Sequence, residues 1–214
     1  MKDRPILFSG PMVRAILEGR KTQTRRIVKP QPELQLKSAR WMRCADEQHA
    51  LFTQHDGELC GQMASTRKCP YGKPGDRLWV RETWAPFIRG DGGRGWVDLV
   101  RYRADGAERQ VDDHEDLDRI SEKGYHWRPS IHMPRWASRI TLEVVGVRVE
   151  RLQDISEEDA KAEGPQMDGR YWGDNPGCFD HRPAFQSLWE SINGLGSWNA
   201  NPWVWVVEFK PVDQ

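Results

Sequence analysis

The chain has 214 residues, 37% of them hydrophobic and 30% charged, with 32 Lys and Arg against 32 Asp and Glu. That length supports one sizeable core, and the composition is ordinary for a soluble globular protein. A net charge of zero argues against a molecule built to grip long phosphate backbones, and no run reaches the roughly 18 apolar residues that a membrane helix needs.

The opening "MKDRPILFSGP" is too short in apolar residues for a secretory signal, so a cytoplasmic location is expected. "PMVRAILEG" predicts a short helix: Pro11 suits its first turn, Met12, Ile16 and Leu17 recur at helical spacing, and Gly19 can end it in a left-handed conformation. "TQTRRIV" then reads as extended, stopped by Pro30 and Pro32. Residues from about 38 to 67 are polar and poorly periodic and read as a first insertion. In "KPGDRLWVRETW" a turn at Pro74-Gly75-Asp76 leads into a strand with Leu78 and Val80 on one face and Arg77, Trp79 and Arg81 on the other.

Residues from about 89 to 124, Gly-rich and then acidic, read as a second insertion with a strand at "WVDLVRYR". After the aromatic stretch "HWRPSIHMPRWASR" comes a long strand from about Arg139, with room for a bend at Gly146. Ser156 opens a helix, "SEEDAKAEG", with Asp159 as capping-box partner and Gly164 as terminator. A third helix starts at Pro183 and sets Phe185, Leu188, Trp189 and Ile192 on one stripe, expected to face the core. "NPWVWVVEF" is a closing strand. Strands outnumber helices, and neither a repeat nor a linker divides the chain. The expectation is one α+β domain over residues 1–214: a small closed or half-closed β-barrel flanked by short helices, with two insertions.

Chemistry concentrates at the first helix-to-strand corner. Residues 1–43 hold eleven Lys and Arg against three acids, a local excess that can meet an anionic ligand or simply form a solvated surface. On a strand Thr24 and Arg26 project from the same face, and Lys21 at the preceding turn can swing over it. A lysine whose pKa is lowered by burial or by cations such as Arg20 and Arg26 can serve as base for a Thr hydroxyl or polarise a carbonyl. The alternative is a solvated or phosphate-touching turn.

The eleven tryptophans are far above ordinary usage. Trp79, Trp189, Trp203 and Trp205 lie inside apolar patterns and read as core; Trp84, Trp127, Trp136 and Trp198 stand beside polar or backbone-breaking residues, where stacking on a base competes with packing. Cys44, Cys60 and Cys69 are spaced without a C-x-x-C pair, so thiols are favoured over a metal site and no cofactor is expected. No glycine-rich phosphate loop, H-E-x-x-H or G-x-S-x-G appears.

"GRKTQTRR" resembles the G-x-K-x-x-E-x-R signature of ASCH domains, members of the PUA-like superfamily, with Thr24 where Glu is frequent. "KPGDRLWVRETW", "LEVVGVRVERLQDISEEDAKAEG" and "NPWVWVVEFKPV" resemble further segments of that family in the same order, and "HWRPSIHMPRWASRI" resembles a stretch of its phage and prophage members. The resemblance covers about two thirds of the chain, leaving out the two insertions. It implies an RNA- or nucleoside-directed protein. One bacterial branch of small amidohydrolases removes the acetyl group from N4-acetylcytidine, and its catalytic Lys, Thr and Glu match Lys21, Thr24 and Glu163. This chain departs from that branch in being about twice as long and in its aromatic insertions.

Substrate-binding candidates beside that set are Arg26 and, from the aromatic approach, His132, Arg135, Trp136 and Ser138, which offer donors and a stacking face; Trp84, with Glu82, can rim the same pocket. Each has a structural alternative, since "SIHMPRWASR" also suits a buried corner. Asn199 and Asn201 before the last strand read better as turn residues. Three functions stay open: amidohydrolysis of an N4-acylated cytidine, an RNA-binding module without chemistry, and a ribonuclease. The partner in each is a modified nucleoside or RNA, not a membrane.

Overall fold

The strand β11 (Trp203–Pro211) decides the architecture, because its successive side chains meet two different apolar layers. Trp203, Trp205, Val207 and Phe209 pack with Ile6, Phe8, Val80 and Leu142, whereas Val204 and Val206 pack on the opposite side with Leu152, Ile155, Phe185 and Trp189. Side chains alternate across a strand, so a strand apolar on both faces belongs inside a sheet covered on both sides. The computed structural model describes residues 1–32, 38–42, 49–53, 65–90, 96–111, 126–166 and 180–212.

In it β11 is the fourth strand of a mixed sheet, with β1 (Asp3–Leu7), β6 (Arg77–Arg81), β10 (Thr141–Arg151) and β2 (Gln23–Ile27), in the order β1-β6-β10-β11-β2. β1 and β6 run parallel, and the remaining neighbours are antiparallel. The expected alternation in β6 holds, with Leu78 and Val80 buried and the residues between them half-buried. β10 shifts register between Val144 and Gly146, the bend expected there; a Cβ on Gly146 would lie 2.6 Å from Glu208 Oε2.

The fold is α+β, and its described sheets are open. The central sheet ends on β1 and β2, which do not pair with each other among the described residues. Helix α1 (Gly10–Leu17) connects these two strands, and a side chain spans them: Arg26 Nη2 donates to the Leu7 carbonyl at 2.5 Å. The Phe8 ring lies beneath Arg26 at 5.2 Å and beneath Lys21 at 5.8 Å.

Both regions read as insertions contain sheet. β3 (Ser38–Met42), β4 (His49–Thr53) and β5 (Ser65–Lys68) make an antiparallel three-stranded sheet, where no strand was expected. Among the described residues these strands pair only with one another. The expected strand at "WVDLVRYR" is β8 (Trp96–Tyr102), between β7 (Trp84–Gly90) and β9 (Glu108–Gln110). Its Val100 and Tyr102 pack with Trp84, Met133 and Ala137 as a separate core.

Helix α2 (Glu157–Ala162) begins where Ser156 Oγ accepts the Asp159 N–H at 3.1 Å. The reciprocal half of the expected capping box differs: the Asp159 carboxylate turns to Arg25 and Arg148, because an ion pair outweighs a bond to one backbone N–H. Gly164 ends the helix with φ +68°. In α3 (His181–Asn193) the expected core stripe divides: Phe185 and Trp189 are buried, while Ile192 is 54% exposed. Among the described residues no helix is long and apolar enough to cross a membrane.

Candidate functional site

Strand β2 ends the sheet, and its alternation sends two sets of side chains to opposite layers. Thr24 and Arg26 pair with Val207 and Trp205 on the Phe8 side; Arg25 and Ile27 pair with Val206 and Val204 on the α3 side. The Arg25 guanidinium accordingly lies over the Phe185 ring, 5.9 Å from its centroid. Among the described residues no strand covers the other edge of β2.

Glu163 caps the C-terminus of α2 and joins the two layers at that edge. Its Oε2 accepts from Lys21 Nζ at 2.8 Å, and its Oε1 accepts from Arg25 Nη1 at 3.1 Å. Lys21 Nζ donates a second bond, at 2.8 Å, to the backbone carbonyl of the same residue. Lys21 is 1% exposed and Glu163 2%. Burial pulls the Lys21 ammonium below the usual lysine range, and Arg26 and Arg25 add to this; the Glu163 carboxylate opposes it.

Arg25 continues the network. Its Nη2 reaches Glu150 and Asp159, and Arg148 binds the same two carboxylates and Glu208. Burial alone would raise the Asp159 carboxyl, but the Arg25 and Arg148 guanidiniums hold it below the usual carboxylate range. Buried charge of this density is retained only when every member is paired. It makes a rigid wall behind the free edge of β2.

In front of that wall is a cavity of about 380 Å³, within the size range of small-molecule sites. Its lining mixes polar Thr24, Arg25, Arg26 and Glu163 with aromatic Trp205, Phe185 and Trp189 and apolar Met12, Leu188 and Ile192. This explains the divided stripe of α3, whose outer apolar residues line the cavity rather than the core. Thr24 is 2% exposed, and its side chain makes no hydrogen bond among the described residues. Among the described residues Trp189 Nε1, also buried, has no partner.

The structure therefore brings together Lys21, Thr24, Glu163 and Arg26, with Lys21 touching the cavity only through Glu163. It does not bring the other candidates to them. Trp84 is buried against Trp136, edge to face at 5.7 Å, in the β7–β9 module. Ser138 Oγ donates to the Val80 carbonyl at 2.8 Å, as the buried-corner alternative for this segment has it. Arg135 sits over Trp79 and 3.7 Å from Asp3, and His132 is exposed in a short 3-10 turn. None of these five residues lines the cavity. Glu82 is buried under Arg139, which grips both its oxygens at 2.9 and 3.0 Å and stacks 4.0 Å from the Tyr102 ring centroid.

Asn201 acts in its turn: with φ +41° its Oδ1 accepts the Gln153 N–H. Cys44 and Cys60 lie outside the described residues. Cys69 is buried, and burial pushes its thiol up to about 12. Among the described residues no three His, Cys, Asp or Glu converge as a metal site.

Sequence reasoning missed Arg25, which faces the helices between Thr24 and Arg26, and its partners Glu150, Asp159 and Arg148. The signal available was a second arginine at the inward register of a strand whose neighbours on both sides also face inward. Searches of protein-family models, of curated proteins and of solved structures find no match to this chain.

Proposed function

We propose that the chain is an ASCH-type domain of PUA-like architecture whose cavity takes a nucleoside, or an exposed nucleotide of RNA, and hydrolyses an acyl amide on N4 of a cytosine base. One observation carries this reading: Lys21 from the first corner and Glu163 from the end of α2, 142 positions apart, are bonded to each other, and Glu163 lines the same cavity as Thr24. The bridge from Arg26 to Leu7, which draws the two edges of the central sheet together over Phe8, is compatible with a half-closed barrel.

Amide hydrolysis needs a nucleophile, a proton carrier and stabilisation of the oxyanion. Thr24 Oγ1 attacks the acyl carbon, or holds the water that does. Its proton passes to Glu163, which then gives it to the leaving N4 as the C–N bond breaks, and water releases the acyl group as a carboxylic acid. Lys21 fixes the Glu163 carboxylate through two bonds, and its lowered pKa lets it share the proton. The cation-rich wall stabilises negative charge developing on the acyl oxygen.

The test is incubation of the folded protein with N4-acetylcytidine. Wild type and Thr24→Ser release cytidine; Thr24→Val and Glu163→Gln lose activity by a factor of roughly 100 or more, with far-ultraviolet circular dichroism confirming that each variant folds. A wild type that leaves the nucleoside intact yet shifts transfer RNA in a gel is a binding module, and one that shortens the RNA is a nuclease.

A further inference from the structure

The cavity has more positive charge than its one carboxylate answers. Glu163 is already held by Lys21 and Arg25, and Arg25 is itself shared among three carboxylates. Three other cations also line the cavity: Arg26, Lys29 and Lys68. Lys29 follows β2 and Lys68 ends β5, so two segments distant in sequence each contribute a lysine to the same lining. Both are exposed, and neither side chain makes a hydrogen bond or ion pair among the described residues. Arg26 Nη2 is engaged by Leu7, but its Nε is buried without a partner. Several other arginines among the described residues are paired with carboxylates: Arg139 with Glu82 and Asp105, Arg148 with three acids, Arg101 with Glu108.

We infer that Lys29, Lys68 and Arg26 form a phosphate subsite, so that the cavity takes a phosphorylated nucleoside in preference to the bare one. The inference rests on the reading that the aromatic residues of the same cavity hold a base. Two lysines without side-chain partners among the described residues, together with an Arg26 that keeps one N–H unused, attract a group of concentrated negative charge, and a phosphate ester offers acceptor oxygens to ammonium and guanidinium donors alike. Trp205 and Trp189 in the same lining supply apolar surface for a base. The phosphate belongs either to a mononucleotide or to an RNA strand, and the chemistry of the subsite is the same for both.

Titration calorimetry of the full chain at low salt with cytidine, cytidine 5′-monophosphate, ribose 5-phosphate and a cytidine-centred RNA pentamer tests this. The monophosphate binds about tenfold or more tighter than cytidine, the range of one charge-assisted hydrogen bond. That ratio falls toward one in Lys29→Ala/Lys68→Ala and in high salt. A pentamer tighter than the monophosphate identifies RNA as the source of the phosphate; the reverse identifies a mononucleotide. Ribose 5-phosphate binding as well as the monophosphate supports the subsite and removes the nucleoside reading. Equal binding of cytidine and its monophosphate, a ratio unchanged in the double variant, or no binding of any probe overturns the inference.

Discussion

The Lys21 ammonium donates to Glu163 twice, to its carboxylate and to its backbone carbonyl, both at 2.8 Å. One lysine thus fixes both the position and the chemistry of a residue that ends a helix and faces a cavity. Arg25 shares the same carboxylate but retains Glu150 and Asp159 without it. The two cations are therefore not equivalent: loss of the Glu163 carboxylate leaves Lys21, but not Arg25, without a carboxylate partner.

Lys21→Met leaves a buried carboxylate with half of its partners and is expected to cost about 3–5 kcal/mol of stability, the range for breaking a buried pair on one side. Adding Glu163→Gln removes the uncompensated charge, and the double variant recovers at least half of the loss. Urea denaturation of wild type, both single variants and the double variant measures this coupling. Additive losses would mean that the pair contributes nothing beyond the separate side chains.

Acid sensitivity follows from Asp159. Its carboxyl in the folded chain lies below the ordinary value of 3.8, held there by Arg25 and Arg148. The unfolded chain thus binds its proton first as pH falls. The stability that Asp159 supplies is complete above about pH 4 and is lost as pH drops through the folded value. Asp105 is lowered in the same direction beside Arg139, so the total profile has both contributions. The difference between wild type and Asp159→Asn isolates one. That difference is expected to shrink below pH 4 and to stay level between pH 5 and 7.

Cys69 has the opposite sign. Its thiol rises from 9.0 to about 12 on burial, so between those values the unfolded chain releases a proton that the folded chain keeps. Stability is lost as pH rises through this window, by up to about 1.4 kcal/mol per pH unit. Cys69→Ala lacks that slope. At pH 8 native Cys69 is expected to resist iodoacetamide and to react once urea unfolds the chain, read by peptide mass mapping.

How much of this was legible in the sequence depended on the range of the interactions. β6, β10, β11 and α1 announce themselves through period and punctuation, because Leu78 and Val80, or Pro11 and Gly19, act within a few residues of each other. The convergence of Lys21 with Glu163 was reachable only through the resemblance, since nothing local links positions 142 apart. Arg25 was overlooked although it stands between Thr24 and Arg26: its partners Glu150 and Asp159 lie on β10 and α2, and a long polar side chain on a strand reads as solvated. The same reasoning failed in reverse for Trp84 and Ser138, whose polar neighbours suggested a binding surface, while Trp84 is buried in the β7–β9 module and Ser138 against the Val80 carbonyl of β6. On α3, period alone could not divide Phe185 and Trp189 from Leu188 and Ile192, because a cavity margin and a core require the same apolar residues.

Gly164 gives the sharpest test of the corner itself. Its φ of +68° is the left-handed conformation that ends α2, and a Cβ there would lie 2.8 Å from the Lys21 Cβ and 3.1 Å from the Ala15 Cβ. Gly19 has nearly the same backbone, φ +72°, with nothing within 4 Å of its would-be Cβ. Gly19→Ala therefore meets only the conformational cost, about 1–2 kcal/mol. Gly164→Ala adds a collision with backbone-anchored atoms and is expected to lose at least 1–3 kcal/mol more, the range for overpacking. It also pushes Lys21 off the Glu163 carboxylate. Thermal unfolding of the two variants gives the difference in stability. Turnover of N4-acetylcytidine under conditions where both are folded gives the second readout, with Gly19→Ala active and Gly164→Ala impaired. Equal stability and equal turnover would mean that the close approach of α2 to Lys21 has no part in holding the corner together.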